Sequence, residues 1–252
     1  MQNKAELHVE LLQHNLNPEK IAALSAKLCY SGADLNKLQE KISNEEQDDF
    51  IGNLIGMGHF SVFEHVSFTF GIEGVSRALT HQLVRHRMAS YSQKSQRYVK
   101  VKETFPYVIP HTVEENPEAL EKYNAIMDKI AECYTELSEL GIPAEDARYV
   151  LPNACETKII VTMNARELLH FFSLRSCNRA QWEIREMSDK MLGLVYKIAP
   201  AIFAKAGPGC VRGRCTEGKF NCGLAKEVRV RIANVKGIEP RPEDLPKTAV
   251  KE

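Results

Sequence analysis

The chain has 252 residues, 44% hydrophobic and 26% charged, which excludes extended disorder and suits a domain of ordinary globular composition. Its 33 basic and 33 acidic side chains cancel, so no overall field draws nucleic acid or an anionic membrane, and any anion site must be a local cluster. No run nears the roughly 18–20 apolar residues that span a bilayer, the amphipathic start has no secretory apolar core, and the seven cysteines are odd in number; the expectation is a cytoplasmic protein with reduced thiols.

Asn17-Pro18-Glu19-Lys20 sets Pro at a first helical position after a capping Asn and predicts a helix to about Leu28. A second helix is expected over residues 44–54, ending near Gly56 and Gly58. Over residues 65–73 apolar Val66, Phe68, Phe70 and Ile72 alternate with polar or small neighbours, the mark of a half-buried strand. Helical spacing returns after Gly74 with Val75, Ala78, Leu79 and Leu83. A long helix is predicted over 117–140, stopped by Gly141-Ile142-Pro143. Residues 158–163 read as a buried strand, 165–174 as a helix, and 181–206 as another helix. From Gly207 the pattern is loop-like, and residues 239–252 read as a charged, mobile tail after a domain of 1–238. Strands alternating with longer helices argue for an α/β (α+β) fold.

The stretch from Arg85 to Tyr98 concentrates three Arg, one Lys and one His in a neutral chain, interleaved with Ser90, Ser92, Gln93, Ser95 and Gln96. Arg85 and Arg87 could simply complement a helix C-terminus. That leaves the polar run unexplained, because it buries little. Guanidinium forks and hydroxyls suit phosphates and planar heterocycles, so the residues point to a nucleotide site without naming a reaction.

Arg85-His86-Arg87, seven residues and then Ser95 match the RHRx7S signature of the flavin-dependent thymidylate synthases. The resemblance runs upstream through Gly58-His59-Phe60-Ser61-Val62-Phe63-Glu64-His65. Downstream it covers Ala147-Arg148-Tyr149-Val150-Leu151-Pro152, Asn164-Ala165-Arg166-Glu167-Leu168, Leu174-Arg175 and Ala180-Gln181-Trp182-Glu183-Ile184. The chain is identified as resembling that family, which implies a curved antiparallel β-sheet flanked by helices. It further implies conversion of dUMP to dTMP, with FAD as cofactor and NADPH and methylenetetrahydrofolate as co-substrates. A homotetramer with sites shared between subunits is implied as well, with no nucleic acid or membrane partner.

Carried over by the motif match, Arg85, His86, Arg87, Ser61, Glu64, Asn164, Arg166 and His170 resemble flavin contacts, and His59 is expected beside the reactive edge of the ring. Gln82, Gln93, Ser95, Arg97 and Arg148 resemble contacts to the dUMP phosphate and sugar, with Arg175 at the uracil. Ser95, Arg175 and His59 are thus placed at the reacting centre. Ser95 reads as a clamp that orients dUMP, since an activated serine needs a base in reach. On residue type alone, His65 reads as structural and Trp182 as helix packing.

Cys210, Cys215 and Cys222 are spaced C-x4-C-x6-C in a glycine-rich segment. With Cys177 they could ligate zinc, yet paired CxxC spacing is absent, so free thiols and no metal are expected. Two other classes stand beside the enzyme: a nucleotide-binding protein without catalysis, and a nucleic-acid module using Arg85 to Arg97, which the zero net charge disfavours.

Overall fold

A computed structural model describes residues 3–43, 47–101 and 104–245. β1 (His8–His14) has no counterpart in the sequence reading; it is an edge strand, and its residues are exposed or only half-buried, so no apolar alternation announces it. α1 (Pro18–Leu28) begins as expected, although Asn17 adopts a left-handed φ of 48° and its side chain makes no capping bond. α2 (Leu35–Ser43) has no counterpart in the sequence reading; the helix expected over 44–54 is met by α3 (Asp48–Gly56), while 44–46 lie outside the described residues.

A 3-10 turn at Ser61–His65 leads into β2 (Ser67–Ser76), which buries Phe68, Phe70 and Ile72 as the alternation requires. The strand continues past Gly74, where helical spacing had been expected to resume. Ser76 ends it as an N-cap, its Oγ accepting from the Leu79 amide at 3.0 Å, and α4 (Arg77–Leu83) follows. β3 (Ala89–Gln93) lies inside the arginine-rich stretch. Next come α5 (His111–Glu114) and α6 (Pro117–Glu139), the second capped by Asn116 accepting from Ala119 N at 3.1 Å. Then α7 (Ala144–Ala147) precedes β4 (Glu156–Asn164). β4 alternates, with Lys158 and Ile160 exposed, so it is not buried on both faces as its apolar run suggested.

α8 (Ala165–Arg175) matches expectation. The single helix expected over 181–206 breaks at Ala199 into α9 (Trp182–Ile198) and α10 (Pro200–Phe203), because Pro200 brings no N–H and its ring clashes with the preceding turn. α11 (Gly209–Arg212) and α12 (Ala225–Lys236) occupy the segment expected as loop. Charges such as Lys226, Arg229 and Arg231 hid the stripe of Val228 and Ile232 that α12 buries. Of the expected tail, Pro242–Asp244 forms a 3-10 turn with Asp244 buried, and 246–252 lie outside the described residues.

The four strands form one curved antiparallel sheet in the order β1-β2-β4-β3, and the fold is mixed α/β. Two compact units are distinguished: one contains the described residues within 3–9, 71–85 and 91–161, the other those within 10–70, 86–90 and 162–245. The first is centred on Phe105, Tyr107, Ile109 and Met127. In the second, Phe68 and Phe172 each meet Phe203 edge-on, with centroids 5.6 and 5.9 Å apart. Among the described residues no helix is long and apolar enough to cross a membrane.

Candidate active site

The second unit gathers most of the residues expected at the flavin. Its chemistry starts at the β4–α8 junction, where Asn164 Oδ1 accepts from the Glu167 amide at 2.9 Å and caps α8. Asn-x-x-Glu is capping-box spacing, and such a Glu ordinarily turns back to the cap. Here it reaches sideways instead: Glu167 Oε1 lies 2.8 Å from His86 Nδ1. On the other side of that ring, Arg175 Nε donates to His86 Nε2 at 3.1 Å.

These two bonds fix the proton. A guanidinium can only donate, so Nε2 is the bare nitrogen and Nδ1–H donates to Glu167. His86 is therefore neutral. Burial lowers its pKa first of all, and the charge of Arg175 and the nearby His170 push the same way, against the pull of Glu167. The imidazole also meets Phe171 edge-on with centroids 4.9 Å apart, and the His170 ring at 5.9 Å.

Of the basic word at 85–87, then, only the central residue is buried; Arg85 and Arg87 are exposed. α8 packs against the 3-10 turn at Ser61–His65, and Arg166 there forms an ion pair with Glu64. His59, Ser61 and His170 are exposed in the same unit. Gly58, at φ 78°, turns the chain between α3 and His59. His65 is exposed at the end of that turn, and Trp182 is half-buried at the start of α9. Glu167 is the member that sequence reading missed as a site residue. The capping spacing was visible, but the long-range partner 81 positions away was not.

The first unit holds the residues expected at dUMP, apart from Arg175. Gln93 Nε2 donates to Thr80 Oγ1 and Thr157 Oγ1, each at 3.2 Å, which ties the end of β3 to α4 and β4. Ser95 Oγ accepts from the Arg97 amide at 3.1 Å. Among the described residues no imidazole or carboxylate hydrogen-bonds Ser95. Arg97 Nε pairs with Glu145 at 2.5 Å, and Arg148 Nε donates to the Glu145 carbonyl at 3.0 Å, so one acidic residue steers both guanidiniums. Gln82 is half-buried on α4 and Arg85 is exposed just beyond it. A cavity of about 280 Å³ in this unit is lined by Lys94, Gln96, Lys100, Cys155, Glu156 and Thr157 among others, and not by Gln93, Ser95 or Arg97.

The family described as thymidylate synthase complementing protein matches residues 10–201. The chain belongs to that family. It is 54% identical to a flavin-dependent thymidylate synthase of Geobacter sulfurreducens, over 88% of this chain and 97% of the relative. With the flavin-dependent thymidylate synthase of Clostridium tetani it shares 50% identity, over 88% of this chain and 95% of that one. Among solved structures, a UMP/dUMP methylase from Streptomyces cacaoi bound with 5-Br dUMP superposes with a TM-score of 0.70, covering 81% of this chain and 97% of that one. At 24% identity this likeness speaks for the fold alone.

Proposed function

We propose that this chain methylates dUMP to dTMP, with FAD as its cofactor, methylenetetrahydrofolate as carbon donor and NADPH as reductant. The observation that carries the reading is 54% identity over nearly the full length of a flavin-dependent thymidylate synthase. The donor set of the second unit fits a flavin nucleotide. Exposed guanidiniums at Arg87 and Arg166 suit a pyrophosphate, and the imidazoles of His59 and His170 suit the edge of a planar ring. We assign the flavin to Ser61, Glu64, Arg85, His86, Arg87, Asn164, Arg166 and His170, with His59 beside its reactive edge. Asn164 serves there through the cap it gives α8, since its Oδ1 is already engaged.

Uracil C5 is a poor nucleophile, so the site must favour negative charge on the pyrimidine. Arg175 supplies a fixed cation for that, aimed by its bond to a neutral His86. A protonated His86 would offer no acceptor and would repel the guanidinium. Gln82, Gln93, Ser95, Arg97 and Arg148 hold the phosphate and sugar, and Ser95 orients dUMP rather than attacking it. When bound, the flavin supplies the hydride chemistry, with NADPH as the source of electrons.

We further assign the working form to a homotetramer whose sites are shared between subunits, acting in the cytoplasm. Met57, Val84, Met88 and Leu174 support this: they stand exposed in the single chain beside exposed site residues. Neither nucleic acid nor a membrane is part of the reading.

The test is an anaerobic visible spectrum of the purified protein with dUMP present. The expected result is a flavin band that NADPH bleaches and methylenetetrahydrofolate restores, with dTMP formed. Protein that is colourless and takes up no added FAD would overturn the reading and leave at most a nucleotide binder. Normal turnover by a dilute monomer verified by sedimentation would overturn the shared site.

A further inference from the structure

Four of the seven cysteines, Cys177, Cys210, Cys215 and Cys222, line one cavity of about 140 Å³ in the second unit, and all four are free thiols. They come from separate places: just past α8, within α11, and twice from the loop before α12. The flavin and dUMP assignments use none of them.

The scaffold holds these segments around the void instead of collapsing it. Arg231 on α12 is ion-paired with Asp189 and donates to the Ser176 carbonyl at 2.6 Å, immediately before Cys177. Arg229, two residues earlier on α12, pairs with buried Asp244 at 2.5 Å and donates to the Cys210 carbonyl at 3.2 Å. A Cβ on Gly209 would lie 2.7 Å from both Cγ2 and Oγ1 of Thr216, so the segments carrying Cys210 and Cys215 approach too closely for any side chain there. Arg179 fastens the third segment by stacking on Phe220, 5.2 Å from the ring centroid, and donating to its carbonyl at 3.4 Å. Interiors ordinarily fill such spaces. Four thiols converging on an unfilled one call for an occupant.

Thiolates select soft metals. A single tetrahedral zinc, with Zn–S bonds of about 2.3 Å, would draw the four sulfurs to within about 4 Å of one another. Among the described residues no three His, Cys, Asp or Glu side chains stand as the ligands of one ion. A cluster of several irons spreads its thiolates further apart, takes four Cys, and needs cavity room between them. Its negative charge also suits the cations at hand, Arg179 at the cavity wall and Arg229 and Arg231 behind it. We propose that Cys177, Cys210, Cys215 and Cys222 ligate an iron–sulfur cluster that closes the loop before α12 onto α8. Ligation moves no electrons: each thiol gives its proton to solvent as its sulfur binds iron, and a preformed cluster exchanges ligands at unchanged valence.

The test uses the full chain, purified anaerobically and also reconstituted with iron, sulfide and thiol reductant. Expected are about two or about four irons per chain with as many acid-labile sulfides, and an electron paramagnetic resonance signal on reduction that persists after FAD is removed. Cys215→Ser and Cys222→Ser should lose iron and sulfide together, while Cys29→Ser keeps both. Thiol mapping of the wild-type chain needs no variant: the four cysteines should resist alkylation until acid or chelator strips the iron, whereas exposed Cys29 reacts at once. Zinc at one ion per chain without sulfide, a disulfide among the four thiols, or no iron after reconstitution would each overturn the proposal. Because iron and sulfide are counted apart from FAD and dTMP, its failure is distinguishable from failure of the thymidylate reading.

Discussion

Arg175 Nε donates to His86 Nε2 at 3.1 Å, and this makes the protonation state of a buried imidazole the aiming device for a cation. Glu167 completes the chain from the far side, accepting from Nδ1 at 2.8 Å. Glu167→Ala would leave a buried N–H without its acceptor, at a cost of about 1–3 kcal/mol. Glu167→Gln keeps an acceptor oxygen and should recover most of that loss. Thermal melts of the two variants check this, and equal losses would show that Glu167 acts by charge alone.

Arg175→Ala should lower turnover by roughly 100-fold or more, the usual effect of losing one group that stabilises developing charge. FAD content should stay near that of the wild type. The readout is single-turnover dTMP formation on protein whose flavin has been counted beforehand. Unchanged turnover would sink the assignment of Arg175 to the pyrimidine.

The pH dependence follows from the direction of the His86 shift. Burial and the neighbouring cations lower its pKa in the folded chain, while in the unfolded chain it titrates near about 6.5. As pH falls through that value the unfolded state takes a proton that the folded state refuses, so stability drops, by up to about 1.4 kcal/mol per pH unit. Above about pH 7 both states are neutral at this ring and the contribution is flat. Urea midpoints at pH 7.5 and 5.5 should therefore fall more steeply for wild type than for His86→Gln. Parallel slopes would show that His86 titrates alike in both states.

The sequence made the local half of this site readable and concealed the long-range half. The alternation of Val66, Phe68, Phe70 and Ile72 was legible as a strand, because it follows from a near-neighbour rule. That His86 would be buried and Arg85 and Arg87 exposed was not legible, since three polar residues in a row carry no periodicity and their burial is decided by α8. α12 was hidden by its charges for a related reason: Arg229 and Arg231 are spent on Asp244 and Asp189, partners that lie 15 and 42 positions away. The sequence could offer Cys177 as a fourth partner of Cys210, Cys215 and Cys222, but spacing alone argued against a site, and it is the fold that lines one cavity with all four.

Gly74 offers a sharp test of the first unit. It sits in β2 at φ 70°, and a Cβ there would lie 1.8 Å from the Glu6 carbonyl oxygen. Strain and overlap act together, and the neighbour is backbone that cannot swing aside. Gly74→Ala should cost at least about 3 kcal/mol and lower the yield of folded protein. A variant that melts within a degree or two of wild type would mean that the segment at Glu6 yields freely.

Lys236 should give stability a second rise with pH, in the alkaline range. It is buried, donating to the carbonyls of Ala204 at 2.9 Å and Ala206 at 2.8 Å, and burial together with the charge of Arg212 lowers its pKa to about 8. Below pH 8 both states carry the charge, and the folded state bears the cost of keeping it out of water. Between about pH 8 and the unfolded value near 10.4 only the unfolded state stays protonated, so the Lys236 contribution rises with pH, by about 3 kcal/mol over the whole window. Neutral amine still donates to one of the carbonyls, so the packing survives deprotonation. Lys236→Met removes the titration but leaves both carbonyls without this donor. Denaturant unfolding at pH 7.5 and 9.5 should then show wild type gaining on the variant as pH rises. A constant gap between the two would mean that Lys236 keeps an ordinary pKa and reaches solvent.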